Sequence, residues 1–148
     1  MTCGTVPRVI QLDDDTRAAI DGAFGARNVI VIGYVGDDGA PHLSFRGSTQ
    51  VFSPDQLAIW VRNPEGGLLK AVRNRPRVSL IYRSSEPRRV LTFAGRARVD
   101  PSANDRVYAN SHPAERDRDP EKKGVALIID LDEVTGFGPA GPIRMTRD

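Results

Sequence analysis

The sequence predicts a mainly β protein, an antiparallel β-barrel carrying a few short helices, and three observations predict it. Dense β-branched and aromatic runs recur, as in Asn28-Val-Ile-Val-Ile-Gly-Tyr-Val35 and Arg88–Val99, a composition suited to strands. Turn chemistry separates them at Asp38-Gly39, Ser53-Pro54-Asp55 and Glu86-Pro87,. Helix signals are confined to short stretches at the start, after the third strand and after the fifth. With 148 residues, 39% of them apolar, the chain has the material for one core, so residues 1–148 are expected to form one domain with its barrel over 28–134.

Residues 1–12 carry no periodic pattern and read as a tail. Asp13-Asp-Asp15 then precede Thr-Arg-Ala-Ala-Ile-Asp-Gly-Ala-Phe24. Carboxylates suit a helix start, and Ile20 and Phe24 share a face, so a helix is expected over 13–24. Asn28–Val35 and Pro41–Phe52 read as a hairpin closed by Asp38-Gly39, and Gln56–Arg62 as the third strand,. Asn63-Pro64-Glu65 has the residues of an N-cap and first turn, predicting a helix from Asn63 to about Arg73,. Arg77–Arg83 and Arg88–Val99 follow as strands. Asp100-Pro101-Ser102 opens a helix through Asn110, and Glu115–Lys123 reads as a solvated connector,. Gly124–Val134 is the last long strand, with Ile143–Thr146 a short edge.

Charge narrows the function classes. The net charge of +2 conceals a basic middle, where Arg62, Lys70, Arg73, Arg75, Arg77, Arg83, Arg88, Arg89, Arg96 and Arg98 face only Glu65 and Glu86. Such a bias suits an anionic partner, or else a solvated, arginine-rich strand edge. Nucleic acid is the weaker form of that partner, since no repeated aromatic-basic platform appears. Cys3 is the only cysteine, which leaves no internal disulfide and no cysteine-built metal site,. No leader pattern or bilayer-length apolar run is present, so a soluble cytoplasmic protein is expected. His42 and His112 are the only histidines. A multi-histidine metal site and a Ser-His-Asp triad are therefore poorly supported, and His112, beside Pro113, reads as a surface residue.

Three places hold candidate chemistry. In the second strand, period-2 alternation puts His42, Ser44, Arg46, Ser48 and Gln50 on one face,. That face is either one side in water or a ligand wall, and its lack of lysine and glutamate suits the wall. The first turn after Asn63 contains Gly66 and Gly67. Glycines there cost helix stability, which is understandable if a ligand phosphate meets the free N–H groups, with Lys70 and Arg62 adding charge. Trp60, beside Arg62, either flanks a planar ring or packs in the core.

The strand-turn-strand Gly33-Tyr-Val-Gly-Asp-Asp-Gly-Ala-Pro-His42, the segment Asn74-Arg-Pro-Arg-Val-Ser-Leu-Ile-Tyr82 and Phe93-Ala-Gly-Arg-Ala-Arg-Val99 together resemble the pyridoxamine 5′-phosphate oxidase-like family of flavin and deazaflavin split β-barrels. The resemblance covers about 28–134. It implies an FMN-type oxidoreductase working as a homodimer, with the cofactor in a groove between subunits. In that family an arginine on the second strand and a basic pair opening the helix after the third hold the cofactor phosphate. Here the strand slot holds Ser44, with Arg46 two residues on, and the helix positions hold Gly66, Gly67 and Leu68, with Lys70 further along. The implied phosphate set is thus Arg46, Arg62, Gly66, Gly67 and Lys70, with the ring near Ser44, Phe45 and Trp60. The resemblance also admits deazaflavin F420, or haem with His42 as axial ligand. A non-catalytic ligand-binding module is the alternative of a different class. No catalytic acid or base is evident.

Overall fold

The computed structural model describes residues 8–147. Asp13 opens the first helix as its chemistry demands, its Oδ1 accepting from the Thr16 N–H at 2.8 Å,. Helix α1 spans Asp14–Asp21 and stops at Gly22, short of Phe24. Turns then carry the chain to Arg27, which sits at φ +64°. The residues before α1 are not a free tail. Ile10 and Leu12 are buried, and the Leu12 N–H donates to the Pro54 carbonyl at 2.8 Å. The rest of the expected tail, residues 1–7 with Cys3, lies outside the described residues.

Eight strands form one antiparallel sheet. They are β1 (Val31–Val35), β2 (Pro41–Phe45), β3 (Gln50–Ser53), β4 (Gln56–Val61), β5 (Arg77–Ser85), β6 (Arg88–Val99), β7 (Val125–Gly138) and β8 (Gly141–Thr146). Helix α2 (Gly67–Asn74) follows β4, and a short 3-10 turn (Pro101–Ala103), α3 (Asn104–Asn110) and α4 (Pro113–Arg116) fill the β6–β7 connection. The order across the sheet is β2-β1-β5-β6-β7-β4-β3, with β8 added on β7. Its two edges, β2 and β3, are consecutive in sequence and joined only by residues 46–49. The sheet must therefore curl until its edges meet, and the seam between them is the split in the barrel.

That seam corrects the expectation of one strand over Pro41–Phe52. The Arg46 N–H still donates to Ile30 beside β1, at 2.8 Å, whereas the Ser48 hydroxyl accepts from the Trp60 N–H of β4 at 2.9 Å and donates to the Trp60 carbonyl at 3.0 Å. The chain turns between them, with Thr49 N–H and Oγ1 both bonded to the Arg46 carbonyl. Strand alternation cannot continue through such a turn.

The interior is filled from both ends. Leu57, Ile59, Leu80, Leu91, Phe93, Leu127 and Ile129 are fully buried within the barrel, and Leu68, Leu69 and Val72 of α2 join that core. Each large apolar side chain so buried is worth roughly 1.5–3 kcal/mol. A second cluster lies on the other face of β4 and β7, where Ala58, Trp60, Ala126 and Ile128 pack under Val107 of α3. β4 therefore buries both faces.

Candidate functional site

A cleft of about 360 Å³ opens at the seam. Tyr34 comes from β1, Arg46 from the seam itself, Val61 and Arg62 from the end of β4, and Asn63, Gly66, Gly67 and Leu68 from the entry to α2. The entry differs from the expected one. Asn63 is not the helix cap: its Oδ1 accepts from the Glu65 N–H at 3.0 Å, in a turn closed by Gly66 N–H to the Asn63 carbonyl at 3.0 Å. Gly66 is the N-cap and contributes no side chain, so the first-turn N–H groups of α2 have no capping group,. Asn63-Pro64-Glu65 satisfies its own backbone one turn early, and the helix starts where the glycines are.

Arg46 is half-buried, and its Nε–H donates to the Ser44 hydroxyl at 3.0 Å. No carboxylate pairs with it among the described residues. Burial, aided by the charge of Arg62, lowers the Arg46 guanidinium from its usual range, and Tyr34 and Glu115 oppose that shift,. The guanidinium stays charged at any physiological pH. Two like charges thus stand beside an uncapped helix start, which is an arrangement for an anion.

Of the residues singled out from the sequence, Arg46, Arg62, Gly66 and Gly67 come together in this cleft, and Ser44 steers Arg46. Lys70 is exposed one turn along α2 and does not line the cleft. Phe45 is 74% exposed and lines a different groove, across the β2 backbone from Arg46. Trp60 is a core residue: 4% exposed, it packs edge-on to Tyr108 at 5.2 Å and donates from Nε1 to Asp119 Oδ2 at 2.9 Å. Ser48 and Gln50 also leave the supposed ligand wall. Ser48 ties the seam to β4, and the Gln50 amide is buried, donating to the Ser48 and Val107 carbonyls, each at 3.1 Å. His42 stacks on Tyr34 at 5.3 Å, and its Nε2 lies 3.2 Å from Asp38 Oδ1. His112 is exposed, as its neighbours suggested, and its Nδ1 accepts from the Ala114 N–H at 3.0 Å.

Sequence reasoning missed Tyr34, whose hydroxyl lies 3.8 Å from where a Cβ on Gly67 would stand. An inward tyrosine at a strand end was the available signal, because its hydroxyl needs a polar neighbourhood. It also missed Glu115 and Asp119, both buried although they fall in a segment that reads as solvated. Asp119 accepts from the Trp60 indole and from the Lys123 and Gly124 N–H groups, each at 2.9 Å.

Neither a family model nor a curated protein matches this chain. Solved structures do. A pyridoxamine 5′-phosphate oxidase-related, FMN-binding protein from Nostoc punctiforme superimposes with a TM-score of 0.66 at 12% identity, covering 92% of this chain and 91% of that one. HupZ from Group A Streptococcus gives 0.65 at 13% identity, over 89% and 98% of the two chains. General stress protein 26 from Bacillus anthracis gives 0.64 at 15% identity, over 88% and 97%. The chain therefore has the fold of the pyridoxamine 5′-phosphate oxidase-like, FMN-binding split barrels. Among the described residues no helix is long and apolar enough to cross a membrane.

Proposed function

We propose that this protein is a cytoplasmic, flavin-nucleotide-binding oxidoreductase that works as a homodimer, with FMN held at the seam of each barrel. The observation that carries this reading is the half-buried Arg46 guanidinium, without a carboxylate partner, facing the same cleft as Arg62 and the uncapped start of α2. These residues fit a phosphate monoester: two guanidiniums supply charge and forked donors, the Gly67 and Leu68 N–H groups supply backbone donors, and the missing Cβ of Gly67 leaves room. Tyr34 offers a hydroxyl beside them. When bound, the flavin supplies the hydride and electron chemistry, and the protein supplies binding, orientation and exclusion of water.

The dimer is supported by an apolar outer face. Leu43 and Phe45 of β2 are 79% and 74% exposed, and Ile81 of β5 is 46% exposed. Register places Phe45, Val31 and Ile81 in one row across β2, β1 and β5. A second copy covering that row would bury the exposed edge strand as well.

The test is the visible spectrum of the protein titrated separately with FMN, F420 and haemin. FMN is expected to bind, with a perturbed flavin spectrum. Arg46→Ala and Arg62→Ala should each weaken it by about 1–3 kcal/mol without unfolding the protein, the range for a charge-assisted hydrogen bond. Lys70→Ala should change it far less. Preferential binding of F420 or haemin, or full FMN affinity in both arginine variants, contradicts the assignment.

A further inference from the structure

Tyr34 and His42 are register partners across β1 and β2, so both side chains fall on one face of the hairpin,. Their rings stack at 5.3 Å with 16° between the planes. Tyr34 lines the anion cleft, its hydroxyl beside Gly67, and His42 does not. We propose that the Tyr34 hydroxyl is the neutral donor to the bound anion, and that His42 and Asp38 are positioning residues that hold its ring over the cleft. As part of a flavin site this rests on the reading above; as part of an anion site it stands on the residues of the cleft and the hairpin.

The chain of contacts begins at Asp38, whose Oδ1 accepts from the Ala40 N–H at 2.9 Å inside the hairpin turn. That bond, and then the His42 ring, hold the Asp38 carboxyl below its usual value, so it is anionic near neutrality,. A carboxylate only accepts, which puts a proton on His42 Nε2, 3.2 Å away, and sets the direction of the ring,. Gly36 is a separate observation. A Cβ there would stand 2.7 Å from His42 Nε2 and 2.8 Å from Asp38 Oδ1, closer than real contacts allow. Its φ lies outside the left-handed region, so the backbone does not ask for glycine, whereas room for the pair does,. Arg75, at the end of α2, donates from Nη1 to the Gly36 carbonyl at 3.1 Å. The hairpin tip is thereby tied to the far end of the helix whose first turn faces the anion.

The fold itself gains little from the pair. The His42 and Asp38 side chains are 42% and 61% exposed, and an exposed contact of this kind contributes little to stability,. What it fixes is a half-buried tyrosine near a strand end, whose ring would otherwise sample several rotamers,. An anion that meets a ring already held in place does not have to order it, and affinity gains by that amount. The direction of the effect separates positioning from charge. Asp38 is negative, so by electrostatics alone its removal would strengthen anion binding, whereas removal of a positioning group weakens it.

The test is calorimetric titration of the full-length protein with FMN, riboflavin and inorganic phosphate. Tyr34→Phe should weaken FMN and inorganic phosphate alike by roughly tenfold, the size of one hydrogen bond to a charged group. Riboflavin, which lacks the phosphate, should show little of that loss. His42→Ala and Asp38→Ala should each weaken both phosphate ligands by roughly threefold to tenfold. His42→Phe, which keeps the stacked ring, and Asp38→Asn, which keeps the acceptor, should recover most of it. On a Tyr34→Phe background neither alanine substitution should have a further effect, because both act through the hydroxyl. Additive losses on that background overturn the proposal, as do alanine variants that bind phosphate like the parent, tighter binding by Asp38→Ala, or an equal loss for riboflavin. Failure of FMN to bind, while inorganic phosphate keeps its dependence on Tyr34 and His42, refutes the flavin reading and leaves the positioning pair standing. FMN affinity that ignores Tyr34→Phe does the reverse, and failure of both phosphate ligands to bind overturns both.

Discussion

Gly67 occupies the first position of α2, where an added Cβ would meet only the Tyr34 hydroxyl, at 3.8 Å. Nothing among the described residues requires a glycine there. Gly67→Ala should therefore keep the melting temperature or raise it, by up to about 1 kcal/mol of stability, while FMN affinity falls because the methyl group enters the phosphate space. Thermal melts and FMN titrations on one variant measure both; unchanged affinity would move the phosphate elsewhere. Asp119 makes the opposite case. Desolvation pushes its carboxyl up, but the Lys123 and Gly124 N–H groups and the Trp60 indole outweigh that and hold it below the 3.8 of an unperturbed aspartate. A depressed folded-state value means that the contribution is complete above pH 3.8 and is lost as pH falls through the lower folded value,. Asp119→Ala should cost about 3 kcal/mol near neutrality by stranding buried donors. Its deficit against the parent should shrink in acid below that pH, as measured by urea melts across the range; a constant deficit would contradict the account. Residue type and spacing singled out Arg46, Arg62, Gly66 and Gly67, which the fold brings to one cleft. The buried roles of Trp60, Ser48, Gln50 and Asp119 were not, since each depends on a partner distant in sequence, as in the bond from Trp60 to Asp119.

Elements whose signals are local came through well. The Asp13 cap, the Asp38-Gly39 hairpin and the β6 span of Arg88–Val99 stand where their residues put them. Two boundaries did not, for reasons of competition. Asn63 spends its side chain on an Asx turn, and that hands the α2 cap to Gly66,. The β2–β3 break at residues 46–49 is invisible in a period-2 pattern, because Arg46-Gly-Ser-Thr49 reads as strand until β2 and β3 must pair with different neighbours. The Ser48 hydroxyl is the clasp of that seam, making both bonds to the Trp60 backbone. Ser48→Ala should cost about 1–3 kcal/mol by leaving a buried N–H without its partner. FMN affinity should fall with it, since Arg46 lies two residues away. Chemical denaturation and flavin titration of that variant would show whether seam and cleft are coupled; a stable variant with lower affinity, or the reverse, would separate them.

At the scale of the whole molecule, a sheet whose edges are consecutive strands leaves one seam, and the seam holds the cleft. The apolar row on β2, β1 and β5 predicts a light-scattering mass of about twice 16.2 kDa,. Phe45→Ser should shift that mass toward the monomer; a parent protein that is already monomeric would remove the homodimer from the account. The central claim is that Arg46 and Arg62 at the seam recognise a cofactor phosphate. It is tested most directly by comparing FMN with riboflavin, which lacks only that phosphate, on the parent protein and on Arg46→Ala. The account predicts that the parent prefers FMN by roughly tenfold to a hundredfold, and that Arg46→Ala loses most of that preference while binding riboflavin as the parent does. Equal affinity of the parent for FMN and riboflavin, or an unchanged preference in Arg46→Ala, would contradict it.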